Sequence, residues 1–236
     1  MQKYFHTIPY TTKAETIDLA LADKKIKKPL FLSVAAGKVV EPGKGNSLVA
    51  LRSWHAFQKA LKIFHTHNSS AFVTLPVSKE LIMKAGVDFN GHTGELATAF
   101  GTRVFMCMYH KKFSVIPLTE HIPLALVPRK LYEIKAAELA LALRQFGAIF
   151  KPAGKMAWCG VNPHCGENGR IGNEEEFVVR SIESLAKQGI IVEGPVSADA
   201  VFTRHVLSQY SLVLANYHDQ GLIPFKALEI GRASCR

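Results

Sequence analysis

Short runs of β-branched and aromatic apolar residues, each followed by a longer stretch with helical spacing, recur along this chain, and that alternation restricts the fold more than any other feature. A short strand, a helix and a second strand running the same way make a βαβ unit, and such units build a mostly parallel sheet with helices packed against it. The expected strands are Pro29–Val34, Ala71–Leu75, Phe113–Leu118, Lys155–Gly160, Ile190–Glu193 and Ser211–Ala215. Several are apolar throughout, as strands covered on both faces need to be. Helices are expected over Arg129–Phe146 and Asn173–Gln188. In the second, Asn173 is placed to cap the amino end and Glu176 stands at the capping-box position. Glu174 and Glu175 suit the positive end of the dipole, Lys187 the negative end, and Gly189 can end the helix in the left-handed conformation. The fold class is α/β.

Composition narrows the classes of function. With 48% hydrophobic and 20% charged residues in 236, the chain can bury a substantial core, which excludes global disorder. Its longest apolar stretches, such as Ile122–Val127, fall far short of the roughly 18 residues a bilayer span needs. No membrane partner is expected, and the amino terminus lacks the apolar core of a signal peptide, so the expected location is cytoplasmic. The four cysteines at 107, 159, 165 and 235 show no CxxC spacing and read as free thiols. Of the formal charge of +10, the first 70 residues carry +7. The run Lys24-Lys25-Ile26-Lys27-Lys28 lacks interleaved aromatics or Arg and reads as a solvated turn, so no nucleic-acid partner is expected.

In parallel α/β sheets, the loops leaving the carboxyl ends of the strands converge on one edge, and ligands bind there. Three histidines occupy that position: His121 after Phe113–Leu118, His164 after Lys155–Gly160 and His218 after Ser211–Ala215. Neutral imidazole is a common ligand for divalent transition metals, and three protein ligands leave a position open for substrate. Separately, each histidine reads as an ordinary loop residue; their shared placement is what points to a metal site. Asp219 directly follows His218, where it can orient an imidazole or take a proton, or simply form a turn. Gly91-His92-Thr93-Gly94 offers an imidazole and a hydroxyl on a glycine-flanked turn. Lys226 closes the apolar stretch Leu222–Phe225, and all three polar groups suit an anionic substrate. Lys79 is a weaker candidate of the same kind. His55, His65, His67, His110 and His205 fall in or beside helices and read as structural or solvated. No GxGxxG follows a strand and no GxxxxGK[ST] exists, so a Rossmann fingerprint and a P-loop are both absent.

Five strings in order, Phe89-Asn-Gly-His-Thr, Glu120-His-Ile-Pro-Leu, Cys159-Gly-Val-Asn-Pro-His-Cys-Gly-Glu, Glu193-Gly-Pro-Val-Ser-Ala-Asp and Tyr217-His-Asp-Gln-Gly-Leu, resemble the 4-hydroxythreonine-4-phosphate dehydrogenase family of pyridoxal phosphate biosynthesis. The resemblance implies a three-layer α/β/α fold like that of isocitrate and isopropylmalate dehydrogenases, with a first lobe over 1–88 and a second over 89–236. It implies NAD or NADP binding without the Rossmann fingerprint, and a homodimer with its active sites at the interface. His121, His164 and His218 match the family's divalent-metal ligands (zinc, magnesium or cobalt), shared between subunits. His92, Thr93 and Lys226 match its contacts to the phosphorylated amino-acid substrate, and His164 and Asp219 are the expected catalytic residues. The implied reaction oxidises 4-phosphooxy-L-threonine and decarboxylates the product to 3-amino-2-oxopropyl phosphate. The sequence departs from the family in two places. It has no Gly-Asp-Pro-x-Gly-Ile-Gly-Pro-Glu segment before Lys38, and after Lys226 it runs into Gly231-Arg-Ala-Ser-Cys-Arg where the family continues, so the fold is expected to be incomplete at both ends. The alternatives are a three-histidine hydrolase or lyase acting on a phosphorylated small molecule, and an inactive fragment of the dehydrogenase.

Overall fold

The computed structural model of the chain describes residues 11–12, 31–32, 44–66 and 71–229. The lysine run at 24–28, His67, Cys235 and the closing string from Gly231 lie outside the described residues, as does most of the strand expected at Pro29–Val34. By backbone contact the chain separates into two compact units, Met1–Gly91 and His92–Arg236.

In the first unit, β1 (Thr11–Thr12) pairs in parallel with β2 (Phe31–Leu32). Helix α1 (Ser47–Thr66) begins where the Asn46 side chain accepts a hydrogen bond from the Val49 amide, the usual device for satisfying a free N–H at a helix start. It buries Ala50, Phe57 and Leu61 on one face. Ser78 caps the short α2 (Lys79–Lys84) in the same way. Ala50, Ile82 and Phe89 form a small core joined by Trp54, whose ring meets Phe89 edge-on at 5.3 Å. Residues 71–75 do not form the expected strand. Val73 and Leu75 are 87% and 81% exposed, and no ladder partner lies beside them among the described residues, so β-propensity alone does not order this stretch as a strand.

Helix α3 (Gly91–Phe100) precedes the second unit's sheet, whose strand order is β3-β4-β7-β5-β6. Strand β3 (Met108–Tyr109) is an antiparallel edge; β4 (Ser114–Pro117), β5 (Lys155–Cys159), β6 (Glu193–Val196) and β7 (Tyr210–Ala215) are parallel. Central strand β7 explains the layering. Because successive side chains point to opposite faces, Leu212 and Leu214 enter one core with Leu131, Leu139, Leu143, Phe177, Val178 and Leu185. Those partners come from α4 (Val127–Tyr132), α5 (Ala136–Phe150) and α6 (Glu175–Ala186). Val213 and Ala215 enter the other core with Val201, Leu207 and Phe225, from α7 (Ala198–Val201), α8 (Arg204–Leu207) and α9 (His218–Glu229). The unit is thus α/β/α, as the doubly apolar strands require. Helix α9 lies close to the sheet at Gly221, where an added Cβ would fall 2.5 Å from Val115 Cγ1 and 2.8 Å from Ala215 Cβ.

Three boundaries differ from the sequence reading. The helix expected over Arg129–Phe146 is two helices, α4 and α5, because the chain turns at Glu133–Lys135 to bury Ile134 and extends at Lys135 before α5 begins. Strand β6 starts at Glu193 rather than Ile190. It is an edge strand, so Pro195, which has no N–H to donate, is tolerated there. Helix α6 starts at Glu175, and Asn173 does not cap it through its side chain. At its far end, Gly189 takes φ +76° and the Gly189 and Ile190 amides bond to the Ala186 and Leu185 carbonyls, the double bond of a Schellman close.

Leu214 is fully buried and Ile191 is 70% exposed. Leu214→Ala is therefore expected to lower the unfolding free energy in urea by about 3 kcal/mol, and Ile191→Ala by less than about 0.5 kcal/mol. Equal losses would contradict the placement of the core.

Candidate active site

Strands β4, β7 and β5 lie side by side, so their carboxyl ends deliver three loops to adjacent positions on one edge. Each carries one of the histidines. The β4 loop begins as the Leu118 amide donates to the Ala215 carbonyl at 2.8 Å. It then turns sharply at His121, which holds φ +46°, a conformation uncommon for a non-glycine residue. His218 opens α9 directly after β7. The two rings face each other with centroids 5.2 Å apart and planes at 39°. His218 Nδ1 lies 2.8 Å from Asp219 Oδ1. A proton on Nδ1 shared with this carboxylate leaves Nε2 as the nitrogen with a free lone pair. Thr119, Glu120, Tyr217 and Asp219 complete, with the two histidines, the polar lining of a concavity of about 440 Å³.

The β5 loop is built differently. From His164 to Gly169, six consecutive residues have positive φ, between 45° and 87°, making a left-handed turn. Each non-glycine residue in that conformation costs roughly 1–2 kcal/mol, so the surroundings have to impose it. Glu175 does much of this. Its carboxylate is 8% exposed, and it accepts from the Asn162 amide at 2.7 Å and from Asn162 Nδ2 at 3.0 Å. Asn162 Nδ2 also donates to Glu174 at 2.7 Å, and that bond holds the Glu174 carboxyl below its ordinary range. Gly166 is buried against Glu175: a Cβ there would sit 2.6 Å from Oε2. The helix start expected from Asn173 and Glu176 is displaced for this reason, since Glu175 is drawn back onto the loop while Glu176 pairs with Arg180.

His164 lines a separate concavity of about 780 Å³ with Cys165, Glu167, Glu175, Arg180 and Pro195. Asp199 lies near it: a hydrogen bond from Ser197 chiefly holds the Asp199 carboxyl below its usual value, with smaller contributions from its own backbone amide and from the neighbouring His164 ring. The structure thus brings together His121, His218 and Asp219, and places His164 in the neighbouring loop but in a different hollow. Among the described residues of a single chain, no group of three or more His, Cys, Asp or Glu side chains is arranged to hold a metal ion. The chemistry of the paired rings still fits one. Imidazole nitrogens bind divalent transition ions at about 2.0–2.1 Å, and rings this close are within the span of one ion. His92 and Thr93 form the first turn of α3 rather than a free-standing loop. Lys226 is exposed on the third turn of α9, and Lys79 is the first residue of α2. His92, Thr93 and Lys226 do not line the His121–His218 concavity. Sequence reasoning missed Glu175, Asn162 and Asp199 as parts of the site. The signal for the first two was the pairing of a loop asparagine with a doubled glutamate at a helix start.

Burial disfavours the thiolate of each described cysteine. Burial pushes the Cys159 thiol up to about 12 and that of Cys107 up to about 11, and burial also raises Cys165.

The family described as "Pyridoxal phosphate biosynthetic protein PdxA" matches residues 2–234. A 4-hydroxythreonine-4-phosphate dehydrogenase of Sulfurihydrogenibium sp. (strain YO3AOP1) is 34% identical over 227 residues, covering 92% of this chain and 69% of its own length. The protein of the same name from Aquifex aeolicus (strain VF5) is 38% identical over 203 residues, covering 84% of this chain and 61% of its own. Among solved structures, 4-hydroxythreonine-4-phosphate dehydrogenase from Klebsiella pneumoniae superposes with a TM-score of 0.71 at 29% identity, over 85% of this chain and 62% of that one. The chain therefore spans less than two thirds of the length of the last two.

Two outcomes follow from the loop and the thiols. Gly166→Ala is expected to destabilise the protein by about 2 kcal/mol, because it combines positive φ with a clash against Glu175; unchanged stability would remove Glu175 as the brace of the turn. In the native protein at pH 8, iodoacetamide is expected to leave Cys107 and Cys159 unmodified, with labelling rising as the pH approaches their thiol values or on unfolding. Fast labelling of Cys159 at pH 8 would contradict its burial.

Proposed function

We propose a function from the premise that the chain belongs to the pyridoxal phosphate biosynthetic protein PdxA family: it is an NAD-dependent dehydrogenase that oxidises 4-phosphooxy-L-threonine. The oxidation removes a hydride and a proton from the secondary alcohol; a nicotinamide would supply the hydride acceptor, and Asp219 or His164 would take the proton. The resulting β-keto acid loses carbon dioxide and leaves 3-amino-2-oxopropyl phosphate. The observation that carries the reading is the pair of facing imidazoles, His121 and His218, at the carboxyl edge of a parallel sheet, with Asp219 on the rear nitrogen of one of them.

In this reading His121 and His218 hold a divalent cation, zinc, magnesium or cobalt, and His164 completes the set from a second copy of the chain, with the active site at the dimer interface. A cation held there would supply Lewis acidity to the substrate. The protein's own contribution is positional. Asp219 keeps the His218 proton on Nδ1, so Nε2 stays available as a ligand. The left-handed turn carries His164 away from its own strand end, and Glu175 fixes that turn. His92 and Thr93 at the start of α3 and Lys226 on α9 supply an imidazole, a hydroxyl and an ammonium suited to the phosphate and carboxylate of the substrate. The three-histidine hydrolase or lyase alternative is not favoured, since the similar proteins named above are dehydrogenases.

The test is NADH formation by the full chain from 4-phosphooxy-L-threonine with Zn²⁺, Mg²⁺ or Co²⁺ added. The expected results are turnover that a chelator abolishes and a loss of more than about a hundredfold for His218→Ala or His164→Ala. Inorganic phosphate released without NADH, or full activity in both variants, would overturn the reading.

A further inference from the structure

Asn216 is the last residue before the Tyr217-His218 pair. It is a wholly buried polar side chain among apolar strand ends, and an unpartnered amide there would cost several kcal/mol. Each of its polar groups has a partner, and the partners belong to different loops. Its carbonyl accepts from the Thr119 hydroxyl at 2.7 Å, two residues before His121. Its Nδ2 donates to the carbonyls of Cys159 and Gly160, both at 2.9 Å, where β5 gives way to the loop bearing His164. Its Oδ1 accepts from Trp158 Nε1 at 2.9 Å. Its own amide donates to Gln220 Oε1 at 2.7 Å in the first turn of α9, and Gln220 Nε2 donates onward to the Gly160 carbonyl at 2.8 Å. Because β7 lies between β4 and β5, one residue at its end can reach both neighbours.

From this geometry we infer that Asn216 is a positioning residue: its buried side-chain amide ties the end of β7 to the β5 loop and to Gln220 at the start of α9, while its backbone carbonyl holds the β4 loop through Thr119, so the three histidine-bearing loops are joined at one residue. The inference rests on the proposed cation site only for its functional consequence; the coupling itself is a property of the hydrogen bonds. The network's two arms are separable. Thr119 ties only the β4 loop, and Gln220 ties only the β5 loop and the start of α9. Buried, fully satisfied networks of this kind specify one arrangement rather than several, and residues behind metal ligands typically alter metal affinity by 10- to 100-fold.

Amide hydrogen exchange reads the coupling without any metal. The reporters are the Leu118 amide, bonded to the Ala215 carbonyl, and the Gly160 amide, bonded to the Val196 carbonyl; the Lys155 amide at the other end of β5, bonded to the Gln209 carbonyl, is the control. Asn216→Ala, which removes the side-chain amide but keeps the carbonyl that Thr119 bonds, is expected to speed exchange at Gly160 by about tenfold or more, to affect Leu118 less, and to leave Lys155 unchanged. Thr119→Val is expected to loosen only Leu118, and Gln220→Met only Gly160. The Thr119→Val/Gln220→Met double variant, which cuts both arms and keeps Asn216, is expected to loosen Leu118 and Gly160 together. No rise at Gly160 in Asn216→Ala, or a double variant that loosens one side alone or neither, overturns the coupling. Zn²⁺ titration of each folded variant reads the consequence: binding about tenfold weaker or worse in Asn216→Ala is expected, and affinity within about twofold of the parent in a variant whose loops have loosened overturns the positioning role. A parent chain that takes up no Zn²⁺ while its variants still loosen as described sinks the cation reading and supports the coupling.

Discussion

Strand β7 has to satisfy two demands that pull against each other. It is the middle strand of the sheet, so Leu212, Val213, Leu214 and Ala215 are buried on both sides and leave no room for an unpaired polar group. It also has to stop, and its last carbonyl, its next amide and the strand ends beside it need partners in the same dry setting. Asn216 meets that need with one side chain and two backbone groups, and Trp158 and Gln220 complete the arrangement so that no buried side-chain nitrogen or oxygen among the described residues is left unpaired. Everything proposed for the site sits on this junction, because the loops that carry His121, His164 and His218 all leave the sheet within a few residues of it.

The three loops are then shaped by different means. His218 needs little, since it opens a helix already docked on the sheet at Gly221. His121 sits on a single left-handed residue ahead of Pro123. His164 is set on a left-handed turn of six residues, which the chain would not adopt alone and which Glu175 and Asn162 hold in place from the start of the next helix. Two of the three imidazoles therefore rest on unfavourable backbone. In folded proteins such backbone persists where the surroundings over-determine it, and it clusters at functional sites.

The fold was legible where burial alone decides. The apolar runs at Phe113–Leu118, Lys155–Gly160 and Ser211–Ala215 became β4, β5 and β7 almost to the residue. The pattern was silent where partners decide. Ala71–Leu75 has the composition of a strand and no ladder to join among the described residues; Arg129–Phe146 has the periodicity of one helix but breaks so that Ile134 can be buried. The site was legible to a similar depth. Post-strand placement singled out His121, His164 and His218, and the pairing of His121 with His218 is a product of the fold. Asn216 carried no such signal, because an asparagine ending a strand is ordinary until one sees what it touches, and Glu175 carried only the weaker one of a doubled glutamate opening a helix after a loop asparagine.

The most direct measurement of the account is X-ray absorption at the metal edge of the full chain loaded with one equivalent of Zn²⁺ or Co²⁺. The account predicts the scattering pattern of at least two imidazole rings, with nitrogen at about 2.0–2.1 Å. A shell of oxygen alone, with no imidazole contribution, would contradict it.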